Sequence, residues 1–166
     1  MSQTTVTMKG NPVPLTGSLP AVGDKAPEYT LVGTNLAPVT PPAGKTVISV
    51  FPSVDTPTCA ASVRRFNQEA SSREGVTVLC VSKDLPFAMA RFCGAEGLDN
   101  VVCGSAFRSD FGHAYGLDFA AGPLEGLLAR AIVVVDADGN VVHTELVPEV
   151  GDEPDYAAAL AAVDAL

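Results

Sequence analysis

The chain of 166 residues carries four cysteines, at positions 59, 80, 93 and 103, and a thiol is the one strong nucleophile among its side chains. Cys59 stands where a buried strand is expected to turn into a helix, within FPSVDTPTCAASVRRF (51–66). Asp55, Thr56 and Thr58 offer N-cap oxygens and Pro57 suits a first helical position, so a helix should begin between Asp55 and Cys59. That places the sulfur in the first turn, where unsatisfied N–H groups amount to roughly half a positive charge and favour thiolate over thiol. The ordinary alternative is a small buried hydrophobe, the commonest fate of a free cysteine.

Arg130 is an obligate cation inside an apolar run, LLARAIVVV (127–135). It could reach solvent from an edge strand or pair with one of the 19 acids. It could also lie beside Cys59, holding a thiolate by charge and donating to a substrate oxygen as negative charge develops there. The Thr56 hydroxyl, three residues before Cys59, could accept from a substrate hydroxyl while donating to a thiolate. Plain N-capping, worth about 1 kcal/mol, is compatible with that role. Pro52 has no donor and would shield the sulfur from water. Cys80 and Cys103 lie in β-like runs, VTVLCVS and NVVCGS, where burial and inertness are expected. Cys93 differs, because it ends a short predicted helix followed by Gly94 that could open at low cost. The spacings contain no C-x-x-C and no paired His/Cys cluster, which argues against a thioredoxin-type dithiol and an ordinary zinc site. His113 and His143 stand alone and read as structural or surface groups.

These residues need a scaffold of alternating elements. Thr5–Met8 and Val13–Thr16 flank a turn-rich break at 9–12 and predict an N-terminal β-hairpin. Glu28–Val32 and Leu36–Val39 are short candidate strands, and Thr46–Phe51, apolar and β-branched, is a core strand stopped by Pro52. In the helix that follows, Cys59, Val63, Phe66 and Ala70 share one apolar face. Val76–Ser82 is a second core strand, parallel to the first across that helix. A helix of about two turns over Leu85–Cys93, a strand at Asn100–Cys103 and an unassigned stretch 107–116 come next. Leu127–Val135 and Val141–Val147 flank Asp138-Gly139 as a hairpin, and Pro154–Leu166 closes the chain as a helix. The order predicts an α/β fold: a thioredoxin-like mixed sheet with helices on both faces and an N-terminal β-hairpin.

Composition limits the function classes. The length suits a single domain spanning 1–166, and 47 % hydrophobic against 17 % charged residues suits a well-filled core. A net charge of −9 opposes nucleic acid and anionic membrane surfaces. The N-terminal stretch has neither a basic region nor an apolar one, so no signal peptide is expected, and no run approaches membrane-spanning length. A reducing, cytoplasmic setting follows, in which cysteines remain thiols unless they do redox work.

Pro52, Thr56 and Cys59 match the P-x-x-x-T-x-x-C signature of the peroxiredoxins. Together with KGNPVPLTG, VGDKAPEYTL, SKDLPFAMARFCGAEG, DFGHAYG, LLARAIVVVD and EPDYAAAL, it makes nearly the whole chain resemble the thiol peroxidase branch of the atypical two-cysteine peroxiredoxins. The resemblance implies Cys59 as peroxidatic cysteine, Cys93 as resolving cysteine within the same chain, and Thr56, Arg130 and Pro52 as the surrounding site. It implies hydrogen peroxide and alkyl hydroperoxides as substrates, thioredoxin as reductant, a homodimer, and no metal, haem or flavin cofactor. A disulfide needs Cα atoms within roughly 7 Å, which two cysteines on separate helices would not start from, so local unfolding enters the implied cycle. Without the resemblance, the residues are equally compatible with a thiol–disulfide oxidoreductase or a redox-responsive binding module. All readings of Cys59 as a reagent expect its sulfur within reach of an oxidant.

Overall fold

The computed structural model describes residues 4–70, 72–96 and 101–166. It opens with a hairpin of β1 (Thr5–Met8) and β2 (Asn11–Pro14), with Met8 opposite Asn11. Lys9 and Gly10 take φ of 51° and 81°, the two left-handed positions of a two-residue hairpin turn whose twist matches its strands. The expected second strand therefore starts two residues earlier than Val13, and Pro12 is tolerated because a two-stranded ribbon has only edge positions.

A seven-stranded mixed sheet follows, in the order β4-β3-β7-β6-β5-β8-β9. Its members are β3 (Leu31–Gly33), β4 (Pro38–Val39), β5 (Lys45–Val50), β6 (Val76–Ser82), β7 (Val101–Ser105), β8 (Ala131–Val135) and β9 (Val141–Leu146). β3 begins three residues later than the predicted strand, and β4 begins two residues later because the chain before it is a tight turn: Leu36 has a φ of 69°, and the Gly33 N–H donates to the Ala37 carbonyl at 2.8 Å. β5, β6 and β7 run parallel, joined by helices α1 (Pro57–Ala70) and α2 (Pro86–Glu96) as crossovers. Of the predicted strand Asn100–Cys103, Asn100 lies outside the described residues, as does the side chain of Ala70.

Three further differences bear on the site. α2 has 11 residues, about three turns, and runs on through Gly94, so Cys93 lies in its last turns rather than at its end. The unassigned stretch folds around a four-residue helix, α3 (Phe111–Ala114). The strand predicted to begin at Leu127 begins at Ala131, which leaves Arg130 just before β8. The cause is a competing pairing: Phe119 N–H donates to Leu127 O at 2.8 Å and Ala129 N–H to Leu117 O at 2.9 Å, tying 127–129 to 117–119. β8 is also not an edge, because β5 and β9 flank it. The closing helix is α4 (Tyr156–Asp164), capped by Asp155, whose carboxylate accepts the Ala158 N–H at 3.0 Å.

The two faces of the sheet are separate cores. Val133, Leu79 and Ile48 face Tyr29, α3 and the N-terminal hairpin. Ile132, Val134 and Val78 face α1, α2 and α4. Alternation along each strand divides them, and all four cysteines lie on the second side, Cys93 packed at its margin.

Candidate active site

Pro57 is the first residue of α1, so Cys59 sits in the first turn as expected. Thr56 caps it: its Oγ1 accepts the Cys59 N–H at 3.2 Å and its carbonyl accepts the Ala60 N–H at 3.0 Å. The Thr56 hydroxyl donates in turn to the Ser53 carbonyl at 3.2 Å. Both halves of the hydroxyl are thus engaged with backbone, and the dual role expected of Thr56 requires its proton to leave Ser53 first.

Arg130 meets Cys59 directly, with Nη1 donating to Sγ at 3.2 Å. Its other face is fixed by one carbonyl, that of Val150, which accepts from Nε at 3.2 Å and Nη2 at 3.0 Å. The 147–151 segment is itself held from two sides. Val147 N–H donates to Arg130 O, Val150 N–H to Thr7 O, and Thr58 Oγ1 to Gly151 O. Glu149 accepts from the Thr7 hydroxyl and from the backbone N–H groups of Lys9 and Gly10, and these bonds, the Thr7 one foremost, hold its carboxyl below the usual range. The N-terminal hairpin therefore reaches the site indirectly: β1 positions the 147–151 segment, that segment's carbonyl orients the guanidinium, and the guanidinium faces the sulfur.

The site is closed. Cys59 has 0 % of its surface exposed and Arg130 3 %, and Pro52 is buried too. This corrects the expectation of a reachable sulfur: an apolar lining from Phe51, Val54, Val63 and Ala60 packs around the helix start, so an oxidant reaches Cys59 only when that cover moves. Burial also removes competing water, which strengthens the guanidinium–sulfur hydrogen bond.

Asp84 is a positioning residue that sequence reasoning missed. Its carboxylate accepts from Ser53 Oγ at 2.8 Å, Val54 N–H at 2.8 Å and Ser82 Oγ at 2.6 Å. It thereby ties the loop before Cys59 to the turn that starts α2. The Ser82-Lys83-Asp84 sequence gives only a turn signal; the long-range partner Ser53 becomes visible only in the fold. Asp84→Ala is expected to leave Val54 N–H and two hydroxyls without this acceptor and to cost about 2–3 kcal/mol, read as a lowered midpoint in urea.

The structure does not place Cys93 against Cys59. Its Sγ lies 3.0 Å from that of Cys103, and Cys103 is the register partner of Cys80 across β6 and β7. Cys80 and Cys103 are buried as expected, and Cys103 is the residue that meets the Cys93 thiol. The hydrogen bond with Cys103, and then burial, push the Cys93 thiol well above its ordinary value. His113 is exposed and His143 half-buried on β9. A cavity lined by Lys25, Tyr29, Tyr115 and Asp136 opens on the other core face, away from the cysteines.

A family model described as Redoxin covers residues 21–160. A thiol peroxidase of Mycobacterium tuberculosis H37Rv is 58 % identical over 163 residues, 96 % of this chain and 98 % of the relative. The chain belongs to the thiol peroxidase family. A thiol peroxidase of Corynebacterium glutamicum is 53 % identical over 159 residues, 94 % of this chain and 96 % of the other. Among solved structures, a peroxiredoxin-like protein from Aquifex aeolicus superimposes with a TM-score of 0.94 at 39 % identity, covering 99 % of both chains. A thiol peroxidase from Chromobacterium violaceum reaches 0.89 at 24 % identity over 97 % of this chain and 95 % of that one, a likeness of fold. The thioredoxin-like mixed sheet with an N-terminal hairpin is thus the architecture of the family, and this thiol peroxidase chain has among its described residues no helix long and apolar enough to cross a membrane.

Proposed function

We propose that this chain reduces hydrogen peroxide and alkyl hydroperoxides, with Cys59 as the attacking sulfur, Cys93 as the resolving sulfur and thioredoxin as the final reductant. The observation that carries the reading is the 3.2 Å contact between Arg130 Nη1 and Cys59 Sγ at the start of α1. The Cys59 thiolate attacks the terminal peroxide oxygen, the O–O bond breaks, and the departing oxygen leaves as water or alcohol after taking a proton. Arg130 holds the thiolate and then donates to the oxygens as charge shifts onto them, Thr56 orients the peroxide, and Pro52 keeps water from the sulfur. The Cys93 thiol then attacks the Cys59 sulfenic acid, water leaves, and an S–S bond forms. An external dithiol reduces it by exchange. In the same reading the chain acts as one domain over 1–166, as a homodimer in the cytoplasm, on neutral small molecules rather than nucleic acid or membranes, which its charge of −9 supports.

Two openings are built into this cycle, one to admit peroxide to a closed sulfur and one to bring Cys93 from Cys103 to Cys59. The second predicts a rate. Gly94 is exposed inside α2, with nothing within 4 Å of the position a Cβ would take. Gly94→Ala is expected to stabilise α2 by about 0.5–1 kcal/mol and so slow disulfide formation by about 2- to 5-fold in single-turnover measurements, leaving the peroxide step unchanged.

The test of the reading is intact mass after one equivalent of peroxide. The parent chain should lose two hydrogens as a disulfide forms, whereas Cys93→Ser should gain a single oxygen on Cys59, trapped by dimedone. A Cys93→Ser chain in which Cys59 acquires no oxygen would remove the reading.

A further inference from the structure

Two thiols of the cysteine-bearing core have no part in the cycle above. Cys80 and Cys103 stand side by side on parallel strands β6 and β7, and α2 brings Cys93 down onto Cys103 at 3.0 Å, about 1 Å longer than an S–S bond. Cys93 therefore faces two possible partners. Cys59 lies fully buried in the first turn of a different helix, α1, whereas Cys103 is met with every element in place.

We propose that Cys93 and Cys103 form a second redox pair, to which the disulfide first made between Cys59 and Cys93 passes by thiol–disulfide exchange. The step rests on the reading of Cys59 as the peroxide-reactive sulfur, which supplies the oxidising equivalents. Cys103 gives up its proton and its sulfur attacks the Cys93 sulfur. The Cys59–Cys93 bond breaks as the Cys93–Cys103 bond forms, and Cys59 leaves as a thiolate into its contact with Arg130, or takes up the proton. No electrons enter or leave; the two removed by peroxide are only relocated. The direction follows from the fold. The first disulfide holds α1 and α2 open, and its transfer lets both close onto the buried core around Met89, Phe92 and Val63. Arg130 also favours Cys59 as leaving group by stabilising the charge it carries away. The result is a reduced Cys59 and a disulfide at half-buried Cys93, nearer the surface than Cys59, for an external dithiol to attack.

The test is a time course. After one equivalent of hydrogen peroxide, the chain is quenched with iodoacetamide at intervals and its disulfides are mapped by non-reducing proteolysis. The Cys59–Cys93 peptide pair should appear first and decay as the Cys93–Cys103 pair rises, with Cys59 regaining full alkylation at the same rate. Cys103→Ser, or Cys103→Ala should serine disturb the fold, should keep Cys59–Cys93 throughout. A parent chain in which Cys59–Cys93 persists as it does in those variants overturns the proposal. So does a Cys93–Cys103 bond that peroxide forms equally fast in Cys59→Ser, since no exchange would then be involved. A second arm uses diamide, a two-electron thiol oxidant, on Cys59→Ser: one equivalent should yield the Cys93–Cys103 disulfide, and its failure to form overturns the pair even if peroxide proves not to react with Cys59. Failure of the peroxidase reading itself would show separately, as absence of oxygen on Cys59 in Cys93→Ser.

Discussion

Cys59→Ser is expected to abolish hydroperoxide turnover, with a loss on the order of 10⁴-fold or more, as for removal of a covalent nucleophile elsewhere. Serine keeps the shape and can still accept from Arg130 Nη1, so the closed site has little reason to loosen. A hydroxyl at this position stays protonated even beside a guanidinium, and an alcohol oxygen cannot form a sulfenic acid or a disulfide. The loss should therefore appear in kcat with the thermal midpoint changed by only a few degrees. Coupled peroxide consumption with thioredoxin as donor, alongside thermal unfolding, measures both. Retained turnover in this variant would remove Cys59 from the mechanism.

Arg130→Gln should lower the second-order rate of Cys59 with peroxide by about 10²- to 10³-fold, the scale of losing one donor aimed at developing charge. The substitution removes two things at once, the charge beside Sγ and the fork that holds the Val150 carbonyl. Leaving that carbonyl without its donors costs about 1–3 kcal/mol of stability. Arg130→Lys separates the two effects. An ammonium restores charge but is a single point donor and cannot bind Val150 O and Cys59 Sγ with the same planar geometry, so rate should recover only in part. Stopped-flow competition kinetics at fixed pH gives the rate, and urea unfolding gives the stability. A glutamine variant as fast as the parent chain would show that the 3.2 Å contact only supports packing.

Asp84 and the hairpin place these two predictions in a wider support. Both act on the site through backbone: Asp84 through the Val54 N–H, and the hairpin through the carbonyl of Val150. A substitution at Thr7 thus touches the geometry of Arg130 across the 147–151 segment, and one at Glu149 does so from within that segment.

What could be read from the chain alone followed from local rules. Pro57 at the first helical position and Thr56 before it located the start of α1 and so put Cys59 in its first turn, because capping is decided within four residues. The β-branched runs located β5, β6 and β8, and the parallel pairing of β5 with β6 followed from the crossover. Where a local signal had a distant competitor it failed. The apolar run from Leu127 was read as one strand, but 127–129 pair with 117–119, so Arg130 sits at a strand start whose direction is set by Val150. Gly94 reads as a helix end, yet α2 continues through it to Glu96: Gly94 is not among the residues with a left-handed φ, and one glycine inside a helix costs only about 1 kcal/mol. The amino-acid order determined by itself which sulfur begins a helix. Only the tertiary structure decided which groups meet the sulfurs, Arg130 at Cys59 and Cys103 at Cys93, because those meetings join residues far apart in sequence and depend on strand order, register and the burial of both core faces.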